Sequence, residues 1–275
     1  MKPVSSGNNP MIKEIKSLKL RKYRERKGLF FVEGERIVEE ALKSGAGIQR
    51  IVVAEKAAWD EKLAGLVSIA GARGYEIIKV PESLFRDISD TENPQGVLAV
   101  VKMSTHSLKD IIRNSTFTGV GQKRNPGYFV ILDEIQDPGN MGTIIRTADA
   151  AGFHGVIISN GCVDVYNPKV LRSTMGSIFH LPIHLSGDLA VTLKEVKASN
   201  IKIYAAHLKG NKYYYEVDMT QGAAIIIGNE ARGISLESEK MTDVLVKIPM
   251  PGKAESLNAS VAAGLLMYEA IRQKV

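Results

Sequence analysis

Apolar and polar positions follow two different rhythms along this chain. Between Gly34 and Lys102, short apolar runs alternate with stretches of helical spacing. The pattern predicts a helix over 35–43 stopped by Ser44-Gly45, a strand over 49–53 and a helix over 57–72. A strand over 75–80, a short helix opened by Pro81-Glu82 and a strand over 96–102 follow. These make a small α/β sandwich assigned to residues 1–105. From 106 to 126 the periodicity is lost and Ser, Thr, Gly, Lys and Pro gather, so a linker is placed there, with a helical turn near 108–112. A second series then runs from 127 to 275. Strands are expected over 128–132, 155–159, 179–183, 202–206, 223–227 and 244–248, with helices after Pro138-Gly139, near 168–175, over 189–199 and over 257–274. Strand after helix after strand implies an α/β fold with a largely parallel sheet covered on both faces.

With 275 residues, 44% of them apolar and 24% charged, the chain has the composition of a soluble protein with two cores. No apolar stretch approaches the roughly 18 residues of a membrane helix, and the opening MKPVSSGNNP has no secretion-signal core, so a cytoplasmic location is expected. A single cysteine, Cys162, excludes an intramolecular disulfide and a multi-cysteine zinc site. The net charge of +6 is concentrated: eight basic residues against two acidic ones lie between Lys13 and Lys27. Ile12, Ile15 and Leu18 fall at helical spacing there, predicting a helix docked by its apolar stripe. Its other face, with Lys19, Arg21, Lys22, Arg24, Arg26 and Lys27 around Tyr23, suits RNA. A solvated charged face is the plain alternative.

Chemistry is sought in the loops after the strands, where parallel sheets bind ligands. The stretch LDEIQDPGNMGTIIRTADAAG after the first strand of the second series is rich in glycine. It carries neither GxGxxG nor GxxxxGK[ST], and Asp133, Glu134 and Asp137 oppose a phosphate. The loops 228–233 and 248–258 are also polar and glycine-bearing; either alone is an ordinary turn, but three in order in one domain are not. His180 and His184 stand four apart with Pro182 between them, which disfavours a helical metal face, and Tyr213-Tyr214-Tyr215 suits base stacking, packing or a dimer interface equally.

The stretch from Asn140 through Arg146 to Ala148 resembles the first motif of the SpoU family of RNA 2'-O-ribose methyltransferases, within the SPOUT superfamily. IGNEARGIS from Ile227 resembles the second motif; Ile248-Pro-Met250 with SLNASVAAG from Ser256 resembles the third. FFVEGER from Phe30 is similar to the family's N-terminal substrate-binding domain, an α/β fold like ribosomal-protein RNA-binding domains. The resemblance implies a trefoil-knotted catalytic domain, a homodimer, and S-adenosylmethionine as cofactor without a metal. Gly228, Asn229, Ile248, Met250 and Leu257 are then expected at the cofactor, and Arg146, Asn140, Glu230, Ser256 and Asn258 at the reaction centre. Deprotonating a guanidinium at neutral pH costs on the order of 8 kcal/mol, so Arg146 is expected to act charged, holding phosphate and developing alkoxide, with the proton acceptor open. The implied activity is methylation of a ribose 2'-hydroxyl in RNA, ribosomal RNA first and transfer RNA second. The rivals are a non-catalytic RNA-binding assembly factor on the same fold and a generic nucleotide-binding enzyme.

Overall fold

In a computed structural model of the chain, which describes residues 1–57, 60–116 and 127–274, two units form around separate cores. The first contains β1 (Lys2–Pro3), α1 (Pro10–Ser17), α2 (Arg21–Lys27), β2 (Leu29–Glu33), α3 (Glu35–Lys43) and β3 (Ile48–Ala54). It continues with α4 (Glu61–Ala72), β4 (Glu76–Val80), α5 (Glu82–Ile88) and β5 (Val97–Lys102). The sheet order is β1-β4-β3-β5-β2, with β1, β4 and β3 parallel and β5 antiparallel to both its neighbours. Ile12, Ile15 and Leu18 are fully buried against Val52, Ile78 and Leu98, as their spacing predicts.

The basic segment is two helices rather than one. Leu18 caps α1, and α2 starts at Arg21. The corner between them is held by Arg24, whose buried Nη1 donates to the carbonyls of Leu18 at 2.8 Å and Lys19 at 2.9 Å. These are carbonyls that the end of α1 leaves exposed to partners other than its own amides. Arg24 is therefore corrected from an RNA-facing residue to a structural one. Lys19 donates to the carbonyls of Asp87 and Ser89, and Lys27 pairs with Glu14 at 2.9 Å. Lys22 and Arg26 flank Tyr23, each 5.0 Å from its ring centre.

The chain then enters the second unit through α6 (Leu108–Thr116), β6 (Tyr128–Asp133), α7 (Pro138–Ala150) and β7 (Gly155–Ile158). After α8 (Pro168–Thr174) come β8 (Ile183–Leu185), α9 (Leu189–Ala198), β9 (Lys202–Ala206), β10 (Lys212–Tyr213), β11 (Ala223–Gly228), α10 (Leu236–Met241), β12 (Val244–Lys247) and α11 (Ala259–Arg272). All seven strands are parallel, in the order β10-β12-β9-β11-β6-β7-β8. Alternation assigns the faces: Phe129, Ile131, Ala224 and Ile226 pack with Leu108 and Ile111 of α6 and Leu193 and Val196 of α9. The helices α7 and α11 pack against each other, α11 against β11 and α7 against β6. Because β12, β9, β11 and β6 are neighbours, the loops leaving their carboxyl ends are neighbours too. No helix among the described residues is long and apolar enough to cross a membrane.

Three sequence expectations change. Part of the expected linker is α6, whose Leu108 and Ile111 are buried on the second sheet; residues 117–126 lie outside the described residues, as do 58 and 59 in the expected helix over 57–72. The helix α8 and the turn after it, Tyr166–Phe179, belong to the first unit although the sequence places them in the second. The rings of Tyr166 and Phe179 pack on Phe30 of β2, at 4.6 and 6.3 Å between centres. The strand expected over 179–183 begins only at Ile183, because Pro182 has no amide to donate to a ladder; Ser177–Phe179 is a 3-10 turn instead. The short edge strands β1 and β10 carry too few residues for any periodicity to show.

Replacing Arg24 by Ala leaves the buried carbonyl of Leu18 and the half-buried carbonyl of Lys19 without this donor. The expected result is a loss of about 1–3 kcal/mol in urea denaturation. Unchanged stability with weakened RNA binding would return Arg24 to the RNA face.

Candidate active site

The first loop starts where β6 ends. Asp133 is buried, and its carboxylate accepts from the amide of Ser235 at 2.8 Å, so the loop after β11 is anchored to the end of its neighbouring strand. Glu134 adopts a left-handed backbone (φ 57°). Its amide donates to Ser159 Oγ at 3.0 Å, and its carbonyl accepts from Asn229 Nδ2 at 2.9 Å. A non-glycine residue holds this conformation only when its surroundings impose it. Asp137 then caps α7 by accepting from the amide of Asn140 at 2.8 Å.

Asn140 joins the three motifs. Its Nδ2 donates to Glu230 Oε1 at 3.0 Å and its Oδ1 accepts from Asn258 Nδ2 at 2.8 Å. Both ends of a buried amide are thus engaged, and the network fixes which is oxygen and which is nitrogen. Glu230 also accepts from the amides of Gln136 and Asp137, both at 3.2 Å. Partial desolvation works against its charge, but these donors outweigh it and hold the carboxyl below its usual range. Asn258 in turn caps α11, its Oδ1 accepting from the amides of Ser260 at 2.9 Å and Val261 at 3.4 Å. Asn229 closes its own turn by accepting from the amides of Ala231 and Arg232.

Two glycines mark where backbone presses on backbone. A Cβ on Gly228 would lie 2.3 Å from the carbonyl carbon of Gly233 and the nitrogen of Ile234. One on Gly210, in the loop after β9, would lie 2.7 Å from the carbonyl carbon of Val246. Neither position tolerates a side chain without moving main chain.

The other expected residues are less tied down. Arg146 is exposed on α7 and its side chain makes no hydrogen bond or ion pair among the described residues; the structure does not join it to the Asn140 network. Ser256 is exposed, Ile248 and Met250 are half-buried and Leu257 is 37% exposed. The stretch 248–257 that holds these four makes no hydrogen bond among the described residues, leaving its amides and carbonyls available. Asp133, Glu134, Ser159 and Gly210 were not singled out as site residues by the sequence. The acidic cluster was visible there only as an obstacle to phosphate. The 213–215 tyrosines form their own cluster by the edge strand β10, with Tyr213 and Tyr215 stacked at 5.4 Å and Lys247 4.7 Å from the Tyr213 ring centre.

The family described as SpoU rRNA Methylase matches residues 127–268, and the MRM3-like substrate binding domain matches residues 9–99. The chain belongs to the SpoU family. Among this SpoU methylase's relatives, the 23S rRNA (guanosine(2553)-2'-O)-methyltransferase RlmP of Bacillus subtilis is 34% identical over 268 residues, covering 98% of each chain. The 23S rRNA (uridine(2479)-2'-O)-methyltransferase of Streptomyces viridochromogenes is 34% identical over 263 residues, 93% of this chain and 86% of that one. The crystal structure of an AdoMet-bound rRNA methyltransferase from Sinorhizobium meliloti superimposes with a TM-score of 0.83 at 31% identity, covering 98% and 97% of the two chains.

Two outcomes follow for this SpoU methylase. Asn140→Ala removes both links between the motifs and is expected to lower kcat/KM by about 10- to 100-fold. Asn140→Asp, which sets a carboxylate against Glu230, should be worse at neutral pH; equal activity of both variants with the parent would show that the bridge is dispensable. Because the Glu230 carboxyl is held low, its hydrogen bonds are at full strength above its ordinary value of 4.5 and fade only as pH falls through the lower folded value. The amide protons of Gln136 and Asp137 should therefore titrate in NMR with a midpoint below 4.5.

Proposed function

We propose that this chain transfers a methyl group from S-adenosylmethionine to a ribose 2'-hydroxyl of ribosomal RNA. The observation that carries the reading is the Asn140 bridge, which draws the three family motifs into one hydrogen-bonded site at the carboxyl ends of adjacent parallel strands. Two relatives that match 98% and 93% of the chain are named for 23S rRNA, which favours ribosomal over transfer RNA.

The residues present fit the cofactor. Close backbone packing at Gly228 and Gly210 draws the strand-end loops together, and the stretch 248–257, uncommitted among the described residues, offers amides and carbonyls suited to a purine edge and an amino-acid moiety. Gly228 and Asn229 would hold it through their main chain, and Ile248, Met250 and Leu257 would supply apolar walls. When bound, the cofactor supplies an electrophilic methyl on a sulfonium. The chain's own task is to place the hydroxyl in line and to stabilise charge as its proton leaves. Arg146, exposed and unpaired among the described residues, is free to hold the adjacent phosphate and the developing alkoxide. Glu230, Asn140 and Asn258 keep the loops in register around that point, and Ser256 lies on the third motif two residues before Asn258.

The knotted threading that the family implies is part of this reading. A second copy is the expected partner, meeting the outward stripe of α11, where Val261, Leu265 and Tyr268 are 50%, 36% and 52% exposed, opposite the buried Leu266 and Met267. A cytoplasmic site of action fits ribosomal RNA as substrate.

The reading is tested by transfer of labelled methyl to rRNA from cells lacking this gene, followed by alkaline hydrolysis. Label in an alkali-resistant dinucleotide is expected, because a 2'-O-methyl blocks cleavage at its own linkage; label confined to mononucleotides would sink the ribose assignment. Arg146→Ala should lower kcat by about 100- to 1,000-fold with cofactor affinity unchanged. Leu265→Glu is expected to shift the sedimentation profile to monomer.

A further inference from the structure

The first unit contains a cleft of about 500 Å³ outside the three methyl-transfer motifs, with part of the FFVEGER segment in its wall. That volume lies within the roughly 300–1,000 Å³ of small-ligand pockets. Its walls come from three places in the chain: the β2–α3 junction at Glu33 to Ile37, the turn at Thr91 to Gln95, and the end of α8 at Arg172 and Met175.

The charges on these walls are arranged for an anion at the rim. Arg36 and Lys62 are exposed and have no ion-pair partner among the described residues. Arg172 is held in place by Asp90 at 2.7 Å. Of the two carboxylates lining the cleft, Glu33 is already occupied, accepting from the hydroxyls of Ser89 and Thr91 and from the amide of Asp90. Glu35 is the other.

Neutral hydrogen-bonding groups line the same space. Gln95 spends its Oε1 on the amide of Glu35 at 2.9 Å, which keeps its NH2 as a donor. That contact exists because residue 34 is glycine: a Cβ there would sit 2.7 Å from the same oxygen. Asn93 is exposed with its amide uncommitted among the described residues.

Met175 closes the cleft in an unusual way. It ends α8 in the left-handed conformation, φ 52°, and is 42% exposed. Glycine is the unstrained choice at such a cap. Keeping a long side chain there, at an energetic cost and open to solvent, points to a use for the thioether, and a polarisable sulfur against a flat ring is a favourable contact.

Cations at the rim, amides that read donors and acceptors, and an apolar face together match one chemistry. We infer that this cleft receives an unpaired nucleotide of the RNA substrate, its phosphate against Arg36 and Lys62 and its base against Met175, Asn93 and Gln95. Proteins read RNA sequence through splayed, unstacked bases. The inference rests on the reading of this chain as an RNA-modifying enzyme, and it adds a recognition point distant in sequence from every residue of the methyl-transfer site.

Binding measured without methyl donor separates the two. The probe is rRNA from cells lacking the gene, in filter binding across a salt series, with Arg36→Ala and Met175→Gly as variants. Met175→Gly relieves the backbone, so its Tm should be equal or higher. Each variant is expected to weaken RNA binding by about 5- to 100-fold, Arg36→Ala with a salt slope lower by about one. KM for S-adenosylmethionine should not move. RNA affinity within twofold of the parent in both variants overturns the inference while leaving methyl transfer standing. Base-only methylation with weakened binding in the variants sinks the ribose reading and keeps the cleft. Protection of the cleft by micromolar guanosine or uridine monophosphate, with RNA affinity unchanged in the variants, reassigns it to a free nucleotide and overturns it equally.

Discussion

A primary amide has one end that gives and one end that takes, and Asn140 uses both to tie loops 90 and 118 residues away in sequence to the start of α7. No other side chain of that length does the same. A carboxylate would repel Glu230, a hydroxyl would not reach both partners, and an ammonium could not accept from Asn258. The bridge also sets the helix starts. Asp137 caps α7 and Asn258 caps α11, so the two helices that cover one face of the sheet begin at the same hydrogen-bonded node. Site and scaffold therefore share residues, and loosening one loosens the other.

Much of the second sheet was legible in the sequence, because strands buried on both faces are written as unbroken apolar runs. Ala223 to Ile227 is one, paired on either side with β6 and β9. The three loops stood out by composition, and the family resemblance assigned them roles. What could not be read was who touches whom. Nothing in the spacing says that Glu230 takes its donors from the backbone at 136 and 137, or that Asp133 is spent on the amide of Ser235. Those partnerships depend on strand order, which brings β6 beside β11 with helices intervening in the chain.

The misreadings have a common cause. Arg24 and its neighbours were grouped by charge, yet a guanidinium with five donors also satisfies the carbonyls of a helix end, and geometry decides which. Tyr166–Phe179 was assigned by its place in the alternation, yet its rings and aliphatic side chains found a better surface on β2. Left-handed residues at Glu134 and Met175 leave no pattern at all, since neither is glycine. Local rules describe what a segment prefers; these residues answer to what is packed against them.

The excursion of Tyr166–Phe179 means that the backbone passes between the units three times, after Ser104, after Val165 and after Phe179. Two modules joined once can be exchanged by a single recombination event, or expressed apart. These cannot. A fragment beginning at residue 127 would carry the rings of Tyr166 and Phe179 away from Phe30 and α8 away from β2, and the amino-terminal fragment would lose Arg172 and Met175 from its cleft. Heredity is constrained accordingly: a change in what the first unit recognises must be made by substitution on both sides of the catalytic sequence, and the two halves must evolve as a pair.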